Sequence, residues 1–160
     1  MSQNNAPLYI VVRIKGQQGL HPDVKKTLEL LRLHKKFHVV LVRANESMKG
    51  MLKKVEHTIT YGEAEPDTIA LLLERRGRIK GGKRLTIDYI KPYGYNSFEK
   101  LAEALINGEI SLKKIKGLKP VFRLRPPSKG FKGTIKKHFR DKGEYGYRGK
   151  AINELIRRML

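Results

Sequence analysis

A mostly apolar segment near the start of the chain limits the possible folds most strongly. Residues 8–14 (LYIVVRI) are mostly β-branched or apolar, and Lys15 and Gly16 end the segment. Such a run, bounded by a basic residue and a glycine, is typical of a buried strand. A similar run at 37–43 (FHVVLVR) predicts a second strand.

Helical spacing lies between and after these two strands. Pro22 stands at a position suited to the first turn of a helix, and apolar residues recur at helical spacing from there to about Leu33. Ser47 is predicted to cap a second helix, and the short β-prone segment 58–61 (TITY) predicts a third strand. The order within the first 62 residues is therefore β-α-β-α-β.

This order predicts an α+β fold. We expect a small βαβαβ ferredoxin-like core over 1–62, with an antiparallel or mixed sheet and the helices on one face. Residues 63–112 are predicted to add helix–strand–helix elements: a helix from Glu65 to Gly77, a strand over 84–90 and a helix capped by Asn96. Residues 113–160 are predicted to form a basic, aromatic extension that ends in a short helix.

The charge balance indicates a polyanionic partner. The chain has 35 Lys and Arg residues against 15 Asp and Glu, a net charge of +20, and residues 113–160 hold 16 of those basic residues but 3 of the acidic ones. A compact protein with this charge repels itself, and a nucleic acid relieves the repulsion while releasing counterions. The chain has no cysteine, and neither a membrane span nor a signal peptide is recognisable, so we expect a soluble cytoplasmic protein.

A glycine-rich basic loop is the first candidate binding segment. Six of the ten residues 75–84 are basic and none is acidic. Glycines allow close approach to a phosphate backbone, and arginine donates two hydrogen bonds to one phosphate, so RNA contact is favoured over a solvated hairpin with incidental charge. The predicted contacts are Arg75, Arg76, Arg78, Lys80, Lys83 and Arg84.

The same loop resembles a nucleotide-binding P-loop, but only in part. Residues 77–83 fit G-x-x-x-x-G-K, yet Arg84 stands where the motif needs Ser or Thr. The predicted order is also reversed, since a helix precedes the loop and a strand follows it. We therefore reject a nucleotide-dependent enzyme.

Segment 128–150 is the second candidate. It combines eight basic residues, five glycines and four aromatic residues. Basic groups neutralise phosphates and aromatic rings stack on unpaired bases, which favours ordering on RNA over a disordered basic tail. The predicted contacts are Lys129, Gly130, Phe131, Lys132, Lys136, Lys137, His138, Phe139, Arg140, Arg148 and Lys150, with Arg157 and Arg158 in the last helix.

The core contributes further cations at the ends of its strands and helices. Arg13, Lys15 and Arg43 end the first two strands, and Lys49 lies in the first turn of the second helix, where the helix dipole disfavours a cation.

Catalytic and metal-binding patterns are missing from the sequence: His34 and His38 have no acidic or cysteine residue to complete a ligand set. We expect no enzyme, cofactor or metal.

The chain resembles a known family. The segments YIVVRIKG, HPDVKKTLELLRL and HVVLVRANESMKGMLKKV are similar to the core of the large-subunit ribosomal protein family numbered thirty. The segments RRGRIKGGKRL and GFKGTIKKHF, with the final INELIRRML, resemble the C-terminal extension of its archaeal and eukaryotic members. Since seven residues precede the first strand, the archaeal form is the better match.

The resemblance implies a structural protein of the large ribosomal subunit. It implies binding to the large rRNA near the 5S rRNA, contact with neighbouring ribosomal proteins, and no membrane or small-molecule partner. Carried over by position, it favours Arg13, Lys15, Arg43, Lys49 and Gly50 in the core, and Gly130, Lys136, Lys137, His138, Phe139, Arg157 and Arg158 beyond it. The main alternative is a free RNA chaperone or architectural nucleic-acid binder; membrane-surface binding is weaker, because the last helix is short.

Overall fold

A computed structural model describes residues 6–160. The strands are β1 (Leu8–Arg13), β2 (His38–Arg43), β3 (Ile59–Glu63), β4 (Val121–Arg123), β5 (Thr134–His138) and β6 (Gly143–Tyr147). The α-helices are α1 (Pro22–Leu30), α2 (Glu46–Lys54), α3 (Pro66–Arg76), α4 (Ile87–Ile90), α5 (Phe98–Asn107) and α6 (Ile152–Met159).

All six strands form one mixed sheet in the order β4-β2-β1-β3-β6-β5. The first strand lies in the middle, antiparallel to both β2 and β3. At one side β4 pairs antiparallel with β2, and at the other side β6 runs parallel to β3 and β5 runs parallel to β6. The predicted α+β, ferredoxin-like class with a mixed sheet is confirmed.

Two hydrophobic cores lie on opposite faces of this sheet, because successive residues of β1 point to opposite sides. Tyr9 and Val11 pack with Leu28 of α1 and Leu52 of α2. Leu8, Ile10 and Val12 pack instead with α3, α5 and α6. The helices of the first 62 residues therefore cover one face, as predicted, and the rest of the chain covers the other.

Three local predictions were wrong. Residues 84–90 were predicted to be a strand, but 87–90 form α4. Leu85 and Ile90 are buried while Ile87 is exposed, a pattern that does not match the alternation of a strand. The N-cap of α2 is Asn45, two residues before Ser47, and that of α5 is Ser97, one residue after Asn96. These side chains accept the hydrogen bonds at each helix start.

The C-terminal third is part of this fold. It supplies β4, β5 and β6 to the sheet, and Ile152, Leu155 and Ile156 of α6 are at most 1% exposed in the core. Within the described residues, the basic extension predicted for 113–160 is therefore not seen as a separate arm. The apolar residues of this segment pack in the core, and its lysines are exposed to solvent.

Candidate RNA-binding surface

The basic loop after α3 is a hairpin. Arg78 and Arg84 face each other in an antiparallel bridge, and the Ile79 N–H donates to the Lys83 carbonyl at 2.8 Å. Gly81 and Gly82 form its turn with φ angles of 87° and 77°, which glycine adopts without strain. The hairpin therefore holds its cations on an ordered backbone.

A second segment pairs with this hairpin and adds cations that the sequence did not reveal. Ile79 forms a bridge with Leu118, and the Lys80 N–H donates to the Gly117 carbonyl at 2.8 Å. This pairing brings Lys116 and Lys119, both exposed, beside the hairpin. The pairing joins residues far apart in the chain, so neither loop sequence alone predicts it.

The lowered pKa of Arg76 indicates that other cations lie near its guanidinium. Burial lowers the pKa of Arg76, and Arg125, Arg78 and Arg75 lower it further. Arg125 was not among the predicted residues. We call the set Arg75, Arg76, Arg78, Lys80, Lys83, Arg84, Lys116, Lys119 and Arg125 the hairpin surface.

Carboxylates do not neutralise the hairpin surface. Among residues 6–160, none of its nine side chains lies within 4.0 Å of an Asp or Glu carboxylate oxygen. Arg84 donates to the carbonyl of Glu74 at 3.1 Å, and Arg78 donates to that of Gly77 at 2.9 Å, so these guanidinium groups meet only backbone. Uncompensated charge in this number favours a polyanion.

A second group of cations lies along β5, an edge strand of the sheet. Lys136 and Lys137 are exposed on this strand, and Arg140 is exposed just after it. The Lys15 ammonium lies 5.3 Å from the centre of the Tyr145 ring, and its pKa is lowered by burial and then by Lys136. We call Lys15, Lys136, Lys137 and Arg140 the edge-strand surface.

His138, the last residue of β5, and Phe139, which follows it, have structural partners. His138 Nε2 lies 2.8 Å from Glu56 Oε1, and its Nδ1 accepts from the Arg140 N–H at 3.1 Å. The ring of Phe139 lies 4.6 Å from the guanidinium of Arg148. Both rings are half-buried and help to hold the strand in place.

Three predicted contacts are buried or bound to backbone, which corrects their assignment to the RNA surface. Arg13 is 1% exposed and donates to the Leu33 carbonyl at 2.8 Å. Arg148 is 8% exposed and donates to Glu144 Oε1 at 3.2 Å. Arg43 donates to the carbonyls of Ala6 and Ile106 at 2.9 Å each, and to that of Leu105. Each guanidinium stabilises the fold and is not free to meet a phosphate.

The remaining predicted residues are scattered. Five of them are exposed: Lys49, Gly50, Lys129, Gly130 and Lys150. Within the described residues, none of these three lysines forms an ion pair. Phe131 packs against Phe37, with ring centres 6.4 Å apart, and Lys132 Nζ lies 2.9 Å from Glu154 Oε1.

The two arginines of α6 also have partners. Arg157 lies 3.6 Å from a Glu65 oxygen. Arg158 donates to the Gly130 carbonyl at 2.8 Å, and so ties the exposed turn at 128–130 to the last helix. Neither guanidinium belongs to the two surfaces defined above.

Two further features concern metal binding and membrane insertion by residues 6–160. This part of the chain contains no group of three or more His, Asp or Glu side chains arranged to hold a metal ion. None of its helices is long and apolar enough to cross a membrane.

Comparison of the sequence with known proteins finds similarity to one family. The family model described as ribosomal protein L30p/L7e matches residues 9–59. The large ribosomal subunit protein uL30 of Thermofilum pendens is 55% identical over 96% of this chain and 99% of its own length. The proteins of the same name from Ignicoccus hospitalis and Archaeoglobus fulgidus are 54% and 44% identical, and cover 96% and 95% of this chain and 98% and 99% of their own lengths.

Proposed function

The chain belongs to the ribosomal protein L30p/L7e family, and on that premise we propose that it binds rRNA through the hairpin surface and the edge-strand surface. Its role in the large ribosomal subunit is structural and not enzymatic, with rRNA and other ribosomal proteins as partners. Its location is therefore the cytoplasm. From the family resemblance we also propose that it lies near the 5S rRNA.

One observation carries the assignment of the surfaces: the exposed cations of the hairpin have no carboxylate partner within residues 6–160. Such an arrangement costs electrostatic energy in the free protein. Each phosphate that a cation neutralises releases condensed counterions, so rRNA removes that cost and gains entropy. Ion pairs elsewhere, such as Lys132 with Glu154, do not offer this gain to the same degree.

The two surfaces have different relations to the fold. Residues 78–84 of the hairpin surface lie on a hairpin fixed by backbone pairing, so the backbone that carries their cations is preorganised and loses little freedom on binding. In the edge-strand surface, Lys136 and Lys137 lie on a strand that pairs on one side only. We propose that Lys49, Gly50, Lys129, Gly130 and Lys150, which are also exposed, add peripheral contacts.

The decisive measurement is the salt dependence of binding to a fragment of large-subunit rRNA. We expect the affinity to fall linearly on a log–log plot, with a slope of about −0.7 to −0.9 per phosphate neutralised. Changing Arg78, Lys80 and Lys83 together to Gln should flatten that slope by about 2 to 3, since up to three phosphate contacts are lost.

A matched variant controls for the change in net charge. Lys25, Lys26 and Lys100 are exposed and belong to neither surface, so changing these three to Gln removes the same charge. We expect this control to change the slope much less. Equal effects of the two triple variants would show that RNA responds to net charge alone, and the proposed surfaces would then be rejected.

Association with the particle tests the structural role separately. The protein should sediment with large ribosomal subunits and remain attached through a wash at moderate salt. Release in that wash, together with binding to unrelated RNAs of similar length, would favour the free RNA chaperone instead.

A further inference from the structure

A groove opens beside β2 where its pairing with β4 stops. The partner strand covers only His38–Val40, so β2 continues for three residues without a neighbour on that side. The groove has a volume of about 460 Å³. Its walls are mainly apolar and include Leu30, Leu31, Met48, Leu105, Ile110 and Leu112.

The backbone of β2 faces this groove with unpaired groups. The Ala44 N–H donates to the Pro7 carbonyl at 2.9 Å, and along an antiparallel strand the residues that bond to one neighbour alternate with those that face away from it. Leu41 therefore directs its N–H and its carbonyl into the groove, and Arg43 directs its N–H there, while the Arg43 carbonyl accepts from the Asn45 N–H at 2.9 Å. Continuing the β2–β4 register would place Pro120 opposite Leu41, and proline has no N–H to donate.

Leu30 marks the rim of the groove. Its side chain is 66% exposed, the largest exposed fraction among the large apolar residues of the described chain. A leucine at the end of α1 that packed in the core would be buried as Leu28 is, at 1%. An apolar rim beside an open strand edge is the arrangement that accepts an extended peptide.

The charges around the groove narrow the choice of occupant. Of the basic residues that line it, the Arg43 guanidinium is bound to backbone carbonyls, whereas Arg32 and Lys113 are exposed. Aspartate and glutamate are not among its lining residues. A second copy of a chain with a net charge of +20 is a poor match for this rim, and RNA is a poor match for aliphatic walls.

We propose that the groove binds an extended segment of another protein, one in which aliphatic residues alternate with acidic ones. The segment adds to the sheet in line with β4 and pairs with Leu41 and Arg43. Its aliphatic side chains lie against Leu30 and Met48, while its carboxylates approach Arg32 and Lys113. This interaction uses none of the residues assigned to RNA and does not depend on the proposed function.

The test uses the full-length protein and a synthetic peptide of about eight residues, the length of an ordinary strand, in which Val and Leu alternate with Glu and Thr. NMR titration should show saturable shifts at Leu30, Leu41 and Arg43, with a Kd below about 1 mM. Leu30→Asp should weaken binding about tenfold by removing apolar contact and repelling the carboxylates. Ile87→Asp, at an apolar residue 39% exposed in α4, is the matched control and should leave the Kd unchanged.

Two altered peptides separate the contributions. N-methylation at the residues that pair with β2 removes the main-chain donors and should weaken binding about tenfold; replacing Glu by Lys should weaken it similarly, because the rim is basic. No shift in the groove up to 1 mM, or equal binding of the Lys peptide, would overturn the proposal. So would a concentration-dependent dimer that Leu30→Asp abolishes, since the occupant would then be a second copy. Both Asp variants lie at exposed positions, so circular dichroism should confirm that each remains folded.

Discussion

Gly62 of β3 lies directly against the backbone of Gly149. A Cβ atom at Gly62 would lie 2.7 Å from the carbonyl carbon of Gly149, and closer still to its oxygen. Next to this contact, the Arg148 N–H donates to the Tyr61 carbonyl at 2.8 Å. The segment that joins β6 to α6 therefore packs on β3 at a distance that only a glycine permits.

We expect Gly62→Ala to destabilise the protein by about 1–3 kcal/mol, the usual cost of forcing a methyl group into a packed interior. Chemical unfolding followed by circular dichroism measures the loss. Gly16→Ala is the control, because nothing lies within 4 Å of a Cβ at that position. An unchanged midpoint for Gly62→Ala would show that the segment after β6 is not packed on β3 in solution.

A substitution at Gly50 is expected to change the stability in the opposite direction. It lies within α2, it is exposed, and a Cβ there would meet nothing within 4 Å. Gly50→Ala should therefore stabilise the free protein by about 0.5–1 kcal/mol, because alanine loses less backbone freedom in a helix. If an rRNA phosphate approaches Gly50 closely, the same variant weakens rRNA binding; unchanged affinity would remove Gly50 from the proposed contacts.

Arg43 separates folding from RNA binding. Its guanidinium donates to three backbone carbonyls, two of them at the end of α5. Arg43→Met should cost about 2–4 kcal/mol of unfolding free energy, since these carbonyls lose a charged donor. The salt slope of rRNA binding should stay unchanged. Lys49→Met, at an exposed position, is the comparison and should leave the stability nearly unaltered.

His38 makes the stability of the protein sensitive to acid. It is 8% exposed, and its pKa is lowered first by burial and then by Arg123, His34, Lys35 and Arg13. Below a pH of about 6.5 the unfolded chain binds a proton that the folded chain resists. The free energy of unfolding is therefore not reduced by His38 above that pH, and it decreases as the pH falls from there towards the lowered pKa of the folded-state His38.

The measurement compares unfolding midpoints at pH 7.5 and pH 5.5. One proton accounts for at most about 1.4 kcal/mol per pH unit, and His38→Gln should reduce the difference between the two pH values. His57→Gln, at an exposed histidine, is the control and should retain the wild-type difference. Equal behaviour of the two variants would mean that acid sensitivity arises elsewhere.

The sequence predicted the elements whose signal is local. The apolar run in β1 predicted a buried strand, and all six of its residues are buried. The basic loop was predicted from the density of its cations, and residues 78–84 form an ordered hairpin.

Features that depend on distant pairing were not predictable. β6 reads GEYGY, which has no apolar run, and it is a strand because β3 lies beside it. Lys116 and Lys119 join the hairpin surface through the pairing of Ile79 with Leu118. From the sequence, Arg13 was predicted to be an exposed cation at the end of a strand. Its burial depends on residues distant in sequence, such as Leu33, whose carbonyl accepts a hydrogen bond from the Arg13 guanidinium.

The parallel pairing of β3 with β6 has a consequence for how the chain is made. Thr60 and Gly146, which meet across these strands, are 86 residues apart. During synthesis β3 leaves the exit tunnel with one edge open, and that edge stays open until β6 has been translated. An unpaired strand edge is a template for aggregation, and contacts so distant in sequence form slowly. The nascent protein is therefore most vulnerable in the interval before its last two elements emerge, when a chaperone or an early rRNA contact would protect it most.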